Sequence, residues 1–365
     1  MGSGHNPFFT MGAIAERRHF IGRDRNLREI FERVNTVTAI NLVGAARSGK
    51  SSLLRQVCRI YETVIPKPET VVAVYVEFGR VNSQSEAAFY QAIATALLEE
   101  IPRKRAGLFQ QFKRVELEKP LKVEPFDRLA FDQALRAWRK AEILPILCLD
   151  YFEYLLDKPE VFPNDFYEVL RALVDDRVVI LAIASRETLG KYADKTPQFT
   201  SRFFNLFHTL RLGDLEESEA WDLVRLPSSD DPALTEANQT IAFNWGDQDA
   251  FRLQAAGWCL FEAQQDGASI KVARRRFEEM TARHPKGVRD WRTWLRWLFW
   301  KFPIWVGLFI PFVNANLKPL QQWFGGVVVI VVVVSLGLGV LGIGQFPKVV
   351  EFLKSPLPES SAPKK

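Results

Sequence analysis

The chain has 365 residues and a formal net charge of +5, with 47% hydrophobic and 25% charged residues. That balance excludes a disordered polymer, and the length leaves room for two domains and an appendage. Three scattered cysteines, Cys58, Cys148 and Cys259, and four isolated histidines exclude a disulfide framework and a zinc-type cluster. The cysteines read as small buried hydrophobes in a reducing compartment.

Residues 1–19 read as an N-terminal extension, and they lack the charged-then-apolar pattern of a signal peptide. The run Thr38-Ala39-Ile40-Asn41-Leu42-Val43 predicts a buried strand, and Ser52 to Tyr61 carries apolar residues at helical spacing. Between them lies Gly44-Ala45-Ala46-Arg47-Ser48-Gly49-Lys50-Ser51, the pattern of a phosphate-binding loop in its required strand–loop–helix setting. Gly44 and Gly49 let the backbone of Ala45, Ala46, Arg47 and Ser48 turn its N–H groups toward an anion. The helix N-terminus beginning near Lys50 adds its positive end. Lys50 then neutralises the β- and γ-phosphates, Ser51 ligates Mg²⁺, and Ser52 follows in the first turn. Arg47 either touches phosphate or faces solvent. The expected ligand is a nucleoside triphosphate with Mg²⁺, ATP or its diphosphate product ADP.

Val71 to Phe78 predicts a second buried strand, followed by helices over Gln84–Ile101 and Phe126–Ala141. Ile143 to Asp150 is an apolar strand ending in a carboxylate, which places Asp150 beside the loop as the second Mg²⁺ partner. Val178 to Arg186 and Phe207 to Leu212 complete five strands. Strands alternating with helices predict an α/β fold: a P-loop NTPase with a parallel sheet over 20–213, its ligand at the carboxyl ends of the strands. Residues 214–290 predict a helical lid, with Asp214 capping a helix through Glu216–Leu226, then Leu234–Phe243, Asp249–Gln265 and a basic Ser269–His284.

Residues 271–301 hold ten Lys or Arg against three Asp or Glu, more than the whole net charge. Such a segment suits anionic lipid or nucleic acid, and the sequence that follows favours lipid. Residues 323–344 contain no ionisable group, and as a helix they would extend about 33 Å, enough to cross a bilayer core of about 30 Å. Residues 294–313 form a second apolar stretch, interrupted by Arg296, Lys301, Pro303 and Pro311, with five tryptophans between Trp291 and Trp305. This stretch is either the first span of a hairpin or an interfacial amphipathic helix. Basic residues before it and after the second stretch favour the hairpin, with both ends cytoplasmic. The membrane region then runs over 291–346, and 347–365, rich in proline and serine, reads as a disordered tail.

Several landmarks together resemble the STAND class of signalling NTPases, within the AAA+-like group. They are Asn6-Pro7-Phe8, Phe20-Ile21-Gly22-Arg23-Asp24, the phosphate loop, Leu149-Asp150-Tyr151-Phe152-Glu153 and Ala184-Ser185-Arg186. The resemblance spans roughly residues 6–265, and Phe251 to Gly257 looks like the family's lid helix. It implies that Ile21, Gly22 and Arg23 contact the base and that Ser185 and Arg186 sense the γ-phosphate. One departure stands out: Tyr151 occupies the place where the family carries a second carboxylate. A phenol with an ordinary pKa near 10 is no base at neutral pH, so the role passes to Glu153 or Glu77. Arg202 is the candidate for an arginine acting across a subunit boundary.

These readings predict a membrane-anchored, cytoplasmic STAND-type ATPase switch, in which Lys50, Asp150, Glu153 and Arg186 carry a slow hydrolysis. Its partners are nucleotide, membrane lipid and further copies of the chain or another protein. The alternatives are a non-hydrolysing nucleotide-bound membrane scaffold and a DNA-tethering ATPase. No 34- or 40-residue repeat announces a separate sensor.

Overall fold

The computed structural model describes residues 6–282, apart from 9–11, 15, 80–81, 104–110 and 229–230. The chain divides into two units, Met1–Arg283 and His284–Lys365. The expected spans 294–313 and 323–344 and the tail 347–365 belong to the second and lie outside the described residues. Among the described residues no helix is long and apolar enough to cross a membrane.

In chain order the first unit holds α1 (Asp24–Asn35), β1 (Ile40–Val43), α2 (Lys50–Val64), β2 (Val71–Glu77), α3 (Glu86–Arg103), α4 (Gln111–Glu118) and α5 (Arg128–Lys140). It continues with β3 (Leu144–Asp150), α6 (Glu153–Leu156), α7 (Asn164–Asp175), β4 (Ile180–Ser185), α8 (Leu189–Lys195) and β5 (His208–Arg211). The lid is α9 (Glu217–Val224), α10 (Glu236–Gly246), α11 (Ala250–Asp266) and α12 (Ile270–Thr281).

All five strands are parallel, in the order β2-β3-β4-β1-β5. The central strands are apolar along their whole length because both sheet faces are covered, and every residue of β1 and β4 is buried. One face packs on α1 and α2 through Leu27, Ile30, Leu53, Leu54 and Val57. The other packs on α3, α5 and α7 through an aromatic core that includes Phe78, Phe89, Phe131, Phe166 and Phe203. A third cluster, centred on Leu253, Ala256, Leu260 and Phe277, holds the lid together.

The five expected strands are present, each within two residues of its expected ends. The expected Asp214 cap is absent. Glu216 caps α9 instead, in a reciprocal capping box with Glu219, and the Asp214 carbonyl is used elsewhere. The described part of the basic segment is largely compensated: Arg274 pairs with Glu278 at 2.7 Å, Arg275 with Glu279 at 2.9 Å, and Arg276 with Asp266 at 3.7 Å. The excess positive charge therefore falls on residues 283–301, outside the described residues.

Candidate functional site

The phosphate loop runs from β1 to α2, and two glycines allow its shape. A Cβ on Gly44 would lie 2.6 Å from Ser48 Oγ and 3.0 Å from the Leu212 carbonyl, so a side chain there would have to displace Ser48 and crowd the Leu212 backbone. Gly49 has φ +96 and stands at the N-cap of α2, which receives no side-chain cap hydrogen bond. The first-turn N–H groups of α2 are thus aimed into the loop. Lys50 Nζ donates to the Gly44 carbonyl at 2.8 Å and the Ala45 carbonyl at 2.9 Å, at the mouth of the loop. Burial lowers the pKa of its ammonium, while Glu153 and Asp150 oppose the shift.

β3 delivers Asp150, 2% exposed, to the same place. Both carboxylate oxygens are held: Oδ1 accepts from the Tyr151 N–H at 2.9 Å, and Oδ2 accepts from the Tyr75 hydroxyl at 2.7 Å. Arg55 stacks 4.0 Å over the Tyr75 ring, tying α2 to the same cluster. Sequence reasoning missed Tyr75, although a lone phenol in the aliphatic run Val71 to Val76 is a signal in itself. Tyr75→Phe removes one hydrogen bond to a charged group, worth about 1.5 kcal/mol, or about tenfold. The Mg²⁺ concentration for half-maximal ATP binding is expected to rise by that factor. Binding measured in chelator should stay as in the wild type, and an unchanged Mg²⁺ titration would remove Tyr75 from the metal site.

The turn after Asp150 explains how the chain tolerates Tyr151. Tyr151 is left-handed, with φ 55, a conformation that strains a non-glycine residue. The turn drives Phe152 into the aromatic core, with ring centroids 6.2 Å from Phe203 and 6.4 Å from Phe78. Glu153, the next residue, then lines the cavity from the start of α6. It is 5% exposed, so it is no solvated helix residue. Its Oε1 pairs with Arg186 Nε at 3.0 Å, and burial holds its carboxyl above the ordinary value of 4.5. Glu77 is exposed, pairs with Arg55 at 3.5 Å and does not line the cavity.

The pair Ser185 and Arg186 is divided. Arg186 reaches the cavity, whereas Ser185 is fully buried. The Ser185 hydroxyl donates to the Glu187 carbonyl at 2.6 Å and accepts from Asn41 Nδ2 at 2.8 Å, which fixes the end of β4 against β1. Arg202 is exposed at the start of a short 3-10 turn and does not line the cavity.

Arg23 is 7% exposed, and its guanidinium is committed to backbone. It donates to the carbonyls of Gly213 at 2.6 Å, Ser48 at 3.2 Å and Asp214 at 3.3 Å, while its N–H donates to Glu219 Oε1 at 2.7 Å. The side chain thus joins the phosphate loop to the connector after β5, and the backbone N–H of the same residue adds the lid. Gly22, at φ +75, packs against Glu219, and Ile21 lines the cavity.

Loop and lid enclose a cavity of about 540 Å³, a size suited to a nucleotide. Its phosphate side carries Ala46, Arg47, Ser48, Gly49, Lys50, Ser51, Ser52, Asp150, Glu153 and Arg186. Its lid side carries Phe20, Ile21, Leu215, Leu223, Ala250 and Phe251. Arg47 joins the two sides by stacking 4.2 Å over Phe251. The N-terminal segment closes a further wall. The Ile14 N–H donates to Ser52 Oγ at 2.9 Å, and Phe8 fills the space beside Gly257 on α11. Among the described residues, Ser48 Oγ and Glu153 Oε2 are buried at the site with no hydrogen-bond partner. Orphaned oxygens beside an ammonium, an acid and a helix N-terminus fit a Mg²⁺–triphosphate.

The family described as Novel STAND NTPase 1 matches residues 10–241. No curated protein matches the chain in sequence. The structure is similar to that of a Walker-type ATPase from Pyrococcus abyssi, with TM-score 0.52 and 14% identity over 82% of this chain and 83% of that one. A weaker likeness, TM-score 0.49 at 16% identity, covers 86% of this chain and 83% of the Aeropyrum pernix ORC2 protein in its ADPNP–ADP complexes. At such identities the first likeness speaks to the fold alone, which is that of a Walker-type P-loop NTPase.

Proposed function

The chain belongs to the novel STAND NTPase 1 family, and we propose on that premise that it is an ATP-dependent switch anchored to a membrane. The observation that carries the nucleotide part is the convergence of Lys50, Asp150, Glu153 and Arg186, the two carboxylates buried, on one cavity beneath a lid. Ser51 and Asp150 hold Mg²⁺, which supplies charge neutralisation on the phosphates when bound. Lys50 and the loop N–H groups bind and orient the β- and γ-phosphates. Arg186, whose side chain is 62% exposed, is long and free enough to exchange Glu153 for a γ-phosphate oxygen. That exchange releases Glu153 to take the proton of the attacking water. Until it happens the base is held by an ion pair, so turnover is slow and depends on what occupies the cavity.

The lid reports the outcome. Arg23 and the Arg47–Phe251 stack connect loop to lid, so phosphate occupancy biases the lid position. α12 leads from the lid into 283–301 and then into the two apolar stretches, which we assign to a hairpin with the NTPase unit on the cytoplasmic side. Compensation of the arginines on α12 leaves the uncompensated charge next to those stretches, a placement that favours anionic lipid over nucleic acid. The chain acts as a homo-oligomer or with a partner protein, and a defence or signalling role is the reading that class and anchor together support.

Phosphate release by the full chain with ATP and Mg²⁺ tests this. The wild type should turn over slowly. Lys50→Ala should weaken ATP binding roughly 10- to 150-fold, the equivalent of about 1.5–3 kcal/mol for a hydrogen bond to a charged group. No phosphate release under any assembly state would leave the non-hydrolysing scaffold. Extraction of the full chain from membranes by carbonate, without detergent, would remove the anchor.

A further inference from the structure

The N-terminal segment has one foot in the lid and another on the helix that follows the phosphate loop. The first foot is Asn6-Pro7-Phe8. Pro7 and Phe8 are buried, and Phe8 belongs to the hydrophobic cluster of the lid. Asn6 Oδ1 accepts from the Phe8 N–H at 3.1 Å, and Asn6 Nδ2 donates to Glu262 Oε1 on α11 at 2.9 Å. The Phe8 ring takes the space that a side chain at position 257 would fill: a Cβ on Gly257 would lie 2.4 Å from it. Glycine weakens a helix interior, so its presence in the middle of α11 is accounted for by the ring it receives.

Gly12-Ala13-Ile14 leads to the second foot, and all three residues line the cavity. The Ile14 N–H donates to Ser52 Oγ at 2.9 Å, its carbonyl accepts from Gln56 Nε2 at 3.4 Å, and its side chain packs on the cluster of β1 and α2. Ser52 and Gln56 are four residues apart and share one face of α2, just after Lys50 and Ser51. Only three residues separate Phe8 from Gly12, so the link between the feet cannot exceed about 14 Å whatever its path.

The two feet differ in strength. Phe8, 1% exposed, fills a site in a packed core, whereas the backbone of Ile14 is held by hydrogen bonds to neutral partners. Resting on the nucleotide reading above, we infer that residues 6–8 and 12–14 act as a strap that sets how long a nucleotide stays in the cavity. Phe8 is its anchor in the lid, and Ile14 is the foot that lets go of α2. While both hold, α11 is tied to α2 and Gly12 to Ile14 wall off the nucleotide. When Ile14 leaves α2, wall and lid are freed together, because Phe8 keeps them joined. The strap and the phosphates thereby meet on one helix.

The test follows release of a fluorescent ATP analogue from the full chain with Mg²⁺, chased by excess ATP. Neither Phe8 nor Gly257 lines the cavity, so changes there leave the nucleotide's own contacts in place. Phe8→Ala should speed release roughly 10- to 100-fold, a part of what emptying a buried aromatic site costs, with association no slower than in the wild type. Gly257→Ala, which pushes on the same ring from the lid, should do likewise, and the double variant should be no faster than the faster single variant. Phe277→Leu, in the same lid cluster but on α12 against Trp245, should lower Tm without altering release. Asn6→Ala, at a half-buried position, should speed release a few-fold, and it decides the matter if the core variants fail to fold. Unchanged release in the variants of the first foot, or release sped equally by Phe277→Leu, overturns the strap and leaves the nucleotide site intact. Failure of the analogue to bind the wild type overturns the nucleotide reading itself.

Discussion

Glu153→Gln is expected to lower the rate of ATP hydrolysis by about 10²–10⁴, the range for loss of a positioned general base, while ATP binding stays within a few-fold of wild type. The substitution keeps the volume and an oxygen that can face Arg186, and removes the proton acceptor together with the charge of the ion pair. The same residue sets a pH dependence. A base acts deprotonated, and burial raises the pKa of this carboxyl. The rate should therefore fall as pH drops through a value above the ordinary 4.5 of glutamate, and that acid limb should disappear in Glu153→Gln. Steady-state phosphate release across pH reads both effects. Unaltered turnover in the variant would transfer the role to another group.

Arg23→Ala should produce the largest loss of stability of any single change at the site. Three carbonyls and a carboxylate-held N–H meet at Arg23, and its guanidinium is shielded from water. Losing the hydrogen bonds of a charged guanidinium costs about 1.5–3 kcal/mol. At about 2–4 °C per kcal/mol for a domain of this size, Tm should fall by roughly 3–12 °C. Arg23→Lys keeps the charge but not the fork geometry that spans several carbonyls, so it should recover only part of the loss. A thermal scan in which Arg23→Ala stays within about 2 °C of wild type would contradict the role of Arg23 as the link between loop and lid.

What could be read from sequence follows from how local each interaction is. The phosphate loop is contiguous, and the strand and helix that flank it are short-range patterns, so Gly44 to Ser51 announced both fold and ligand. Asp150 was legible for the same reason, as the polar end of an apolar strand. Glu153 was ambiguous because its burial depends on the left-handed turn at Tyr151 and on the aromatic pocket that receives Phe152, neither encoded locally. Ser185 lay beside Arg186 in sequence, yet a strand end faces two ways: one side chain enters the cavity and the other binds Asn41 of the neighbouring strand.

The contacts joining the NTPase to its lid were not legible at all. Arg23 reaches residues about 190 positions away, Phe8 meets Gly257 and Asn6 meets Glu262. Such pairs are created by the chain reversal that brings the lid back over the loop. Tyr75 belongs to the same class, because its partner Asp150 becomes a neighbour only when β2 and β3 pair in register. The resemblance to STAND proteins assigned Arg23 to the base by position. Arg23 lines the cavity, and the bonds of its guanidinium go to the backbone of the phosphate loop and of the connector after β5.

The central claim is that a triphosphate is held between the phosphate loop and α11. Hydrogen exchange of the full chain with and without ATP and Mg²⁺ tests it most directly, since it reads both walls in one experiment. Exchange should slow together over residues 44–53 and 250–257, and Lys50→Ala should move both changes to roughly 10- to 150-fold higher ATP. Unaltered exchange over both segments at saturating ATP would contradict it.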